Sequence, residues 1–401
     1  MTVQPRKGRT AALFNTTFLD HSQVFVHEEL RQHKRWRMEV FCARRRSPEL
    51  FPWDPVHVAG ILYPYTRYDC GFERLFQTGR FSLVHGHFGT GSVYALRYAQ
   101  LFELPLVTTF HGYDVPLIKS DRRLHPKHWR YGLLSPGLLR RLDLALCASS
   151  ELREMVVEYG VPDDRAVVHR LGVDLERFTP SPRGAPRDHV KLIQVGRFVE
   201  KKAHGITLRA FARVLGRGHR VHLTLIGGGD ASAEAAVRQL ADDLGVTADV
   251  TFAGVLSHTE VARHLADSDV LLCPSVTAGN GDRESGVLVI KEAAACAVPA
   301  VATWHGGIPE IIEDGHTGYL VPERAVAPLV DRIERLVADP ALRETFGREA
   351  RRKMEREYDN RAVVARLEDY YDDVVDRWQH RSAGRGARPL RPPPGGSATG
   401  R

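Results

Sequence analysis

Short apolar runs alternate with amphipathic stretches along nearly the whole chain. In the first half, residues 11–15, 38–42, 83–84, 106–110, 144–148 and 166–169 read as strands. Helical spacing appears between them at 22–33, 92–102 and 150–159. The second half repeats the plan. Its strands fall at 191–195, 221–226, 250–252, 270–273, 300–303 and 318–321, and its helices at 206–215, 233–244, 259–266, 287–295 and 325–338. The strand runs are continuously apolar, as in sheets covered on both faces, and the alternation predicts parallel sheets wrapped by helices. Two such halves imply an α/β chain of two Rossmann-like, doubly wound domains facing across a cleft.

The pattern breaks between the halves, where Pro180, Pro182, Gly184 and Pro186 cluster. The expected division is a domain over 1–180, a linker over 181–189 and a second domain over 190–355. A helix at 361–379 follows, inside a segment 356–381. It carries Val363, Val364, Leu367, Tyr370, Tyr371, Val374, Val375 and Trp378 on one stripe, which must pack on something. Residues 382–401 are Gly, Pro, Ser and Arg, a composition that predicts disorder.

Composition narrows the class. A chain of 401 residues with 43% hydrophobic content builds ordinary globular cores. Its five cysteines are scattered, without a Cys-x-x-Cys pair, which predicts reduced thiols in a cytoplasmic protein and no zinc site. Asn15-Thr16-Thr17 interrupts the only apolar run near the start, which argues against a secretory leader. The net charge of +7 is modest but clustered at 31–37, 44–46 and 122–130. These clusters fit no nucleic-acid recognition pattern. They allow a peripheral contact with anionic lipid at the inner face of the cell membrane, although a solvated surface explains them as well.

In doubly wound sheets ligands bind beyond the carboxyl ends of the strands, so the loops there carry the candidate chemistry. The most telling segment is 281–307. Glu284 sits in a Gly-rich loop, then Gly286, Val287 and Leu288 open a helix, and Glu292 lies within it. Gly286 eases the turn, and the unpaired N–H groups at the helix start suit a phosphate. Glu292 comes six residues after Gly286, or roughly 9 Å along the axis at 1.5 Å per residue. Acids flanking a phosphate site suit a ligand built as sugar, diphosphate and ribose.

Three further loops stand out. Phe110-His111-Gly112 places a histidine at a strand end, able to donate a hydrogen bond or a proton. Gly196-Arg197 through Lys202 offers a planar fork and a point charge for a diphosphate. His305-Gly306-Gly307 allows a close approach of backbone to ligand, or is simply a tight connector. Gly227-Gly228-Gly229 lacks the offset of a dinucleotide fingerprint. His85-Gly86-His87 has no acidic or Cys partner nearby in sequence, so it predicts no metal site.

Taken together these segments resemble glycosyltransferase family 4, the retaining GT-B glycosyltransferases, and in particular bacterial colanic-acid and exopolysaccharide types. The matching pieces include Gly281-Asp282-Arg283-Glu284, Lys291-Glu292-Ala293, His305-Gly306-Gly307-Ile308-Pro309-Glu310, Val84-His85-Gly86-His87-Phe88-Gly89 and Leu171-Gly172-Val173-Asp174. The resemblance implies a UDP- or GDP-sugar donor held by the second domain and a glycan or lipid-linked acceptor held by the first. It implies that Arg197 and Lys202 bind the diphosphate and that Glu292 binds the ribose. Glu284 would contact the donor sugar, and His111 would line the reaction centre. Backbone N–H groups near Gly286, Val287 and Leu288 would stabilise the leaving diphosphate, with no metal and no other cofactor. The final helix would cross back to brace the first domain. The chain departs from the family's usual glycines at Ala203 and Ala297, which predicts a reshaped loop after Lys202. The expected activity is hexose transfer in polysaccharide assembly. A phosphorylase or sugar-phosphate synthase on the same fold, or a non-catalytic nucleotide-sugar-binding protein, are the alternatives.

Overall fold

The computed structural model describes residues 8–19, 23–120, 125, 128–181 and 188–383. Most of the expected linker, nearly all of the expected disordered tail and part of the basic cluster at 122–130 lie outside the described residues.

Among the described residues, thirteen strands form two sheets. The first contains β1 (Arg9–Phe18), β2 (Trp36–Arg45), β3 (Val56–Val58), β4 (Phe81–His87), β5 (Leu106–Phe110), β6 (Leu144–Cys147) and β7 (Ala166–Val168). The second contains β8 (Val190–Val195), β9 (Val221–Ile226), β10 (Val250–Gly254), β11 (Val270–Cys273), β12 (Ala300–Thr303) and β13 (Gly318–Val321). The first sheet runs β3-β2-β1-β4-β5-β6-β7 and the second β10-β9-β8-β11-β12-β13, with parallel pairing throughout. Strand order therefore reverses between β1 and β4, and again between β8 and β11. These are the two places where a doubly wound sheet opens a crevice for ligand.

Each sheet is packed on both faces. Phe14, Phe41, Phe72, Phe76 and Tyr98 stack in one layer of the first domain, with ring centroids 4.9–6.3 Å apart where they meet. The other face is covered by the final helix, Asn360–Ala383. Leu367, Tyr371, Val374 and Val375 are fully buried there against Leu13, Phe18, Leu30 and Trp36. The apolar stripe thus rests on the first domain although the helix follows the second. Glu368 completes the attachment by accepting from the backbone N–H groups of Lys34, Arg35 and Trp36 at 2.9, 2.9 and 3.1 Å.

That attachment consumes much of the basic cluster at 31–37. Arg35 pairs with Glu368, Asp369 and Asp372, while Arg31 and Arg37 lie 3.8 Å from Glu28 and Glu39. All five cysteines are free, four of them buried. Among the described residues, no helix is long and apolar enough to cross a membrane.

Both departures from the usual glycines occupy left-handed backbone. Ala203 has φ 52° and Ala297 φ 56°. The chain keeps the conformation a glycine would take there and bears the Cβ strain, about 1 kcal/mol or more each.

Candidate functional site

The second sheet's switch point brings together the loops after β8 and β11. The loop after β8 also lies with its backbone directly on that of the loop after β9. A Cβ at Gly227 would stand 2.1 Å from the Gly196 carbonyl oxygen, and one at Gly229 would stand 2.8 Å from that of Phe198. The triple glycine after β9 therefore makes room for the Gly196-Arg197-Phe198 loop.

In that loop the Arg197 side chain is exposed, and no hydrogen bond or ion pair to a described residue holds it. Lys202 behaves differently. Its Nζ lies 3.1 Å from Glu284 Oε1, and both side chains are nearly closed to solvent. Burial disfavours the Lys202 charge, but Glu284 outweighs it and holds the ammonium pKa above its ordinary value. Burial likewise opposes ionisation of Glu284, yet Lys202, Lys201 and His305 together keep its carboxyl below the usual range. Glu284 is thus a carboxylate at neutral pH, an acceptor of hydrogen bonds and not an acid. Lys201 is also engaged, donating to Asp282 Oδ1 and the Arg283 carbonyl at 3.2 Å.

The Glu284 backbone is fixed by a residue to which the sequence assigned no such role. Glu284 N–H donates to His305 Nε2 at 3.0 Å, and the opposite nitrogen of that ring meets Glu323 at 2.6 Å. The neighbouring glycines serve the same contact. Gly306 has φ 52°, and its Cβ would fall 2.1 Å from the Glu284 carbonyl oxygen, while a Cβ at Gly307 would fall 2.3 Å from that of Ser285. They admit the Glu284-Ser285 backbone.

The helix Leu288–Ala295 starts after Val287, and no side chain caps it. Its first N–H groups are left for a ligand, although the Val287 N–H is spent on the Ser285 carbonyl at 3.1 Å. Gly286 does not use left-handed backbone. Its lack of a Cβ matters because Leu171 Cδ1 would stand 3.1 Å away. Glu292 sits in the second turn, buried, and its Oε1 meets His258 Nε2 at 2.9 Å. Arg177 donates to His258 Nδ1 and to Glu28 Oε1, both at 2.8 Å, so the chain Glu28–Arg177–His258–Glu292 spans both domains. Glu28, His258 and Glu292, with Phe25, His169 and Leu288, line a cavity between the domains.

His111 approaches from the first domain, at the end of β5. A Cβ on the adjacent Gly112 would stand 3.3 Å from Ser285 Cβ, so the His111 loop lies against the Glu284 loop. The domains also meet through Ser285 Oγ donating to Ser149 Oγ at 3.2 Å and through Arg283–Glu151 at 2.7 Å. Burial drives the His111 pKa well below its ordinary value, with His87 adding to the shift, so the ring is neutral. Its Nε2 lies 3.0 Å from His87 Nδ1.

The fold gives His85-Gly86-His87 the acidic neighbour that the local sequence lacks. Glu29, from the helix Val24–Gln32, lies 3.1 Å from His87 Nε2, and Glu29, His85 and His87 offer ligand atoms within 4.8 Å of one another. Every ring nitrogen of the two histidines is nevertheless engaged. His85 lies between Thr109 Oγ1 and the Tyr371 hydroxyl, and His87 between Glu29 and His111. The cluster is a hydrogen-bond chain.

Two family models match consecutive parts of the chain, together residues 23–353. The Glycosyltransferase Family 4 model covers residues 23–177 and the Glycosyl transferases group 1 model residues 177–353. The putative colanic acid biosynthesis glycosyltransferase WcaL of Escherichia coli (strain K12) is 31% identical over 286 residues, 70% of this chain and 68% of the relative. The amylovoran biosynthesis glycosyltransferase AmsK of Erwinia amylovora is 31% identical over 63% of this chain and 61% of its own. A D-inositol 3-phosphate glycosyltransferase of Pseudarthrobacter chlorophenolicus is 32% identical over 75% and 72%. Among solved structures, sucrose-phosphate synthase from Thermosynechococcus elongatus superposes with a TM-score of 0.75 at 20% identity, over 92% of this chain and 100% of that one. Anabaena HepE in complex with UDP-glucose gives 0.74 at 18% identity, over 91% and 99%. The two matches meet at residue 177, between the two sheets, and with relatives of this identity over this length they show that the chain belongs to glycosyltransferase family 4, enzymes of the GT-B fold.

Proposed function

We propose that this glycosyltransferase moves a hexose, with retention of configuration, from a UDP- or GDP-sugar to a carbohydrate or lipid-linked acceptor in polysaccharide assembly. The observation that carries the reading is the convergence, at the second switch point, of an uncapped helix start, the unpaired Arg197 and the buried Lys202–Glu284 pair. A diphosphate placed there meets N–H groups near Leu288, with Arg197 and Lys202 opposite its charge. Glu284 accepts from hydroxyls of the sugar, and Glu292 accepts from the ribose. Relatives named for colanic acid and amylovoran biosynthesis support the polysaccharide context.

The chemistry follows from charge. As the bond from the anomeric carbon to the phosphate oxygen breaks, negative charge builds on the diphosphate. The helix start and the two cations stabilise it more in the transition state than in the ground state. The acceptor oxygen attacks from the face the phosphate leaves, and the departing phosphate oxygen takes its proton. Neither Glu284, held ionised by Lys202, nor neutral His111 is needed as an acid.

A lipid-linked acceptor brings the enzyme to a bilayer. Ile61, Leu62 and Tyr65 are 88, 65 and 70% exposed, and Trp129 and Leu133 are exposed beside them. Arg130 ties the two segments by donating to the Pro64 carbonyl at 2.6 Å. Arg67 and Arg97 stand nearby; burial and then these neighbouring cations depress the Arg67 pKa, a cluster that calls for anions. This face is the proposed contact with an anionic membrane at its cytoplasmic side, in place of the cluster at 31–37. Co-sedimentation with phosphatidylglycerol vesicles that survives Ile61→Ser with Trp129→Ser removes it.

The central test is nucleotide release by purified protein across a panel of UDP- and GDP-sugars with glycan acceptors. If Arg197→Ala and Glu284→Ala both keep full transfer, the donor site is elsewhere. Turnover that requires phosphate as acceptor makes the enzyme a phosphorylase, and donor binding without turnover for any acceptor makes it a binding protein.

A further inference from the structure

Three arginines of the first domain stand together without a counter-ion. Arg67 follows the short helix Tyr63–Thr66, Arg97 lies in the helix Phe88–Leu101, and Arg130 lies in the first turn of the helix Trp129–Arg141. Arg97 and Arg130 are near enough to act on the Arg67 charge, and the burial of Arg67 sharpens that repulsion. Among the described residues no carboxylate pairs with any of the three. Asp69, the acid nearest to Arg67 in sequence, is spent on the N–H groups of Gly60 and Phe72 at 2.8 and 3.0 Å.

Their donors are largely idle. A guanidinium carries five N–H donors in a planar fork. Arg97 Nε is closed to solvent and has no hydrogen-bond partner among the described residues, and the guanidinium carbon lies 5.1 Å from the Tyr68 ring centroid. Arg67 donates from Nη1 to the Val93 carbonyl at 3.4 Å. Arg130 uses one nitrogen, Nη1, on the Pro64 and Tyr65 carbonyls. Half-buried like charges with idle donors destabilise the free protein, and an anion with several oxygens relieves both costs.

The surroundings favour one kind of anion. Arg130 meets the rings of Tyr65 and Trp129, at 5.6 and 5.0 Å from their centroids. Both rings are exposed, as are Ile61, Leu62 and Leu133. A soluble phosphate would leave these apolar side chains in water, and an uncharged lipid would leave the arginines unmatched. An amphiphile with a phosphorylated head satisfies both. The helix Phe88–Leu101 relates this place to the proposed reaction centre. The Phe88 ring centroid is 4.5 Å from that of His111. Val93, which holds Arg67, and Arg97 come five and nine residues later, roughly 8 and 14 Å along the axis at 1.5 Å per residue. A headgroup held there stands a short glycan's length from the reacting hydroxyl.

We propose that Arg67, Arg97 and Arg130 bind the diphosphate of a lipid-linked acceptor, with its tail on the exposed apolar side chains and its glycan running along the helix Phe88–Leu101 toward His111. The inference rests on the lipid-linked acceptor of the function proposed above. It adds a headgroup site distinct from general attraction to anionic lipid.

The probe is farnesyl diphosphate, titrated into the full chain by calorimetry with UDP and GDP both in excess, so that the donor site is filled. Farnesyl diphosphate should bind, and farnesol and inorganic diphosphate should each bind about tenfold or more weakly. Arg97→Gln should weaken farnesyl diphosphate about tenfold, and Arg67→Gln added to it should weaken it further. Thermal melts should show no loss of stability for Arg97→Gln, since it removes repulsion and no hydrogen bond. Arg97→Lys keeps the charge and loses the fork. It should co-sediment with phosphatidylglycerol vesicles as wild type does, while its affinity for farnesyl diphosphate falls several-fold. If the double variant does not fold, Arg97→Lys still decides. Absence of farnesyl diphosphate binding, equal binding of farnesol or of inorganic diphosphate, or unchanged affinity in both Arg97 variants overturns the inference. Absence of turnover with every donor refutes the proposed function, whereas this binding is read without turnover.

Discussion

Replacing Glu368 by glutamine tests how the final helix is held. Its Oε1 accepts from Lys34, Arg35 and Trp36 N–H groups and from His33 Nδ1 at 3.2 Å, and its Oε2 meets Arg35 Nε at 3.2 Å. Burial opposes the charge, but His33 and these N–H groups prevail and pull the carboxyl pKa to about 2. Against an unfolded value of about 4.3, this corresponds to about 3 kcal/mol, which solvent screening at the edge of the cluster reduces to roughly 2 kcal/mol. The folded pKa lies below the unfolded one, so the contribution is complete above the unfolded value and is lost as pH falls through the folded one. Glu368→Gln should therefore lower the stability of the first domain by roughly 2 kcal/mol at pH 7. The gap to wild type should narrow by about 1 kcal/mol by pH 3.5 and close near pH 2. Urea titrations followed by Trp fluorescence suit the measurement, since Trp36 is buried in the contact. A gap that is absent at pH 7, or equal at pH 7 and pH 3.5, refutes the reasoning.

Lys202→Met leaves Glu284 buried with only Lys201 at 3.8 Å; it should cost about 3 kcal/mol in urea titrations and weaken nucleotide binding in calorimetry. Arg197→Ala is the contrast: stability should stay within about 0.5 kcal/mol while UDP or GDP affinity falls about tenfold or more. Ala203→Gly and Ala297→Gly relieve left-handed strain and should each raise stability by about 0.5 kcal/mol after the added freedom of the unfolded chain is subtracted. A loss at either position contradicts the backbone described here. Burial, then Arg170, pushes the Lys291 pKa down to about 7. The unfolded chain binds the extra proton between pH 7 and about 10.4, so stability from this group rises with pH across that window. Lys291→Met should flatten the rise in thermal melts at pH 7 and pH 9.5.

Much of the architecture was legible because buried parallel strands are continuous apolar runs. Elements that break the pattern were not. Val56–Val58 is a three-residue edge strand, Trp129–Arg141 carries Pro136 inside a helix, and Pro340–Lys353 is a helix so polar that no stripe announces it. The charged residues around the proposed donor site were legible as residue types placed after strands. Their pairing was not, since Lys202 and Glu284 are far apart in the chain.

The order of strands and helices, the apolar stripe of the last helix and the presence of acids and cations at strand ends are local properties, set by periodicity and residue chemistry. The fold alone decided which groups neutralise one another. It placed Glu29 on His87, Glu323 on His305, and Glu368 on three N–H groups of a distant turn. It also seated the glycine-rich loops at 227–229 and 305–307 against neighbouring backbone. The physical reason is range. Periodicity is encoded within a few residues, whereas a charge state or a close approach depends on groups that only the packed chain brings within a few ångströms.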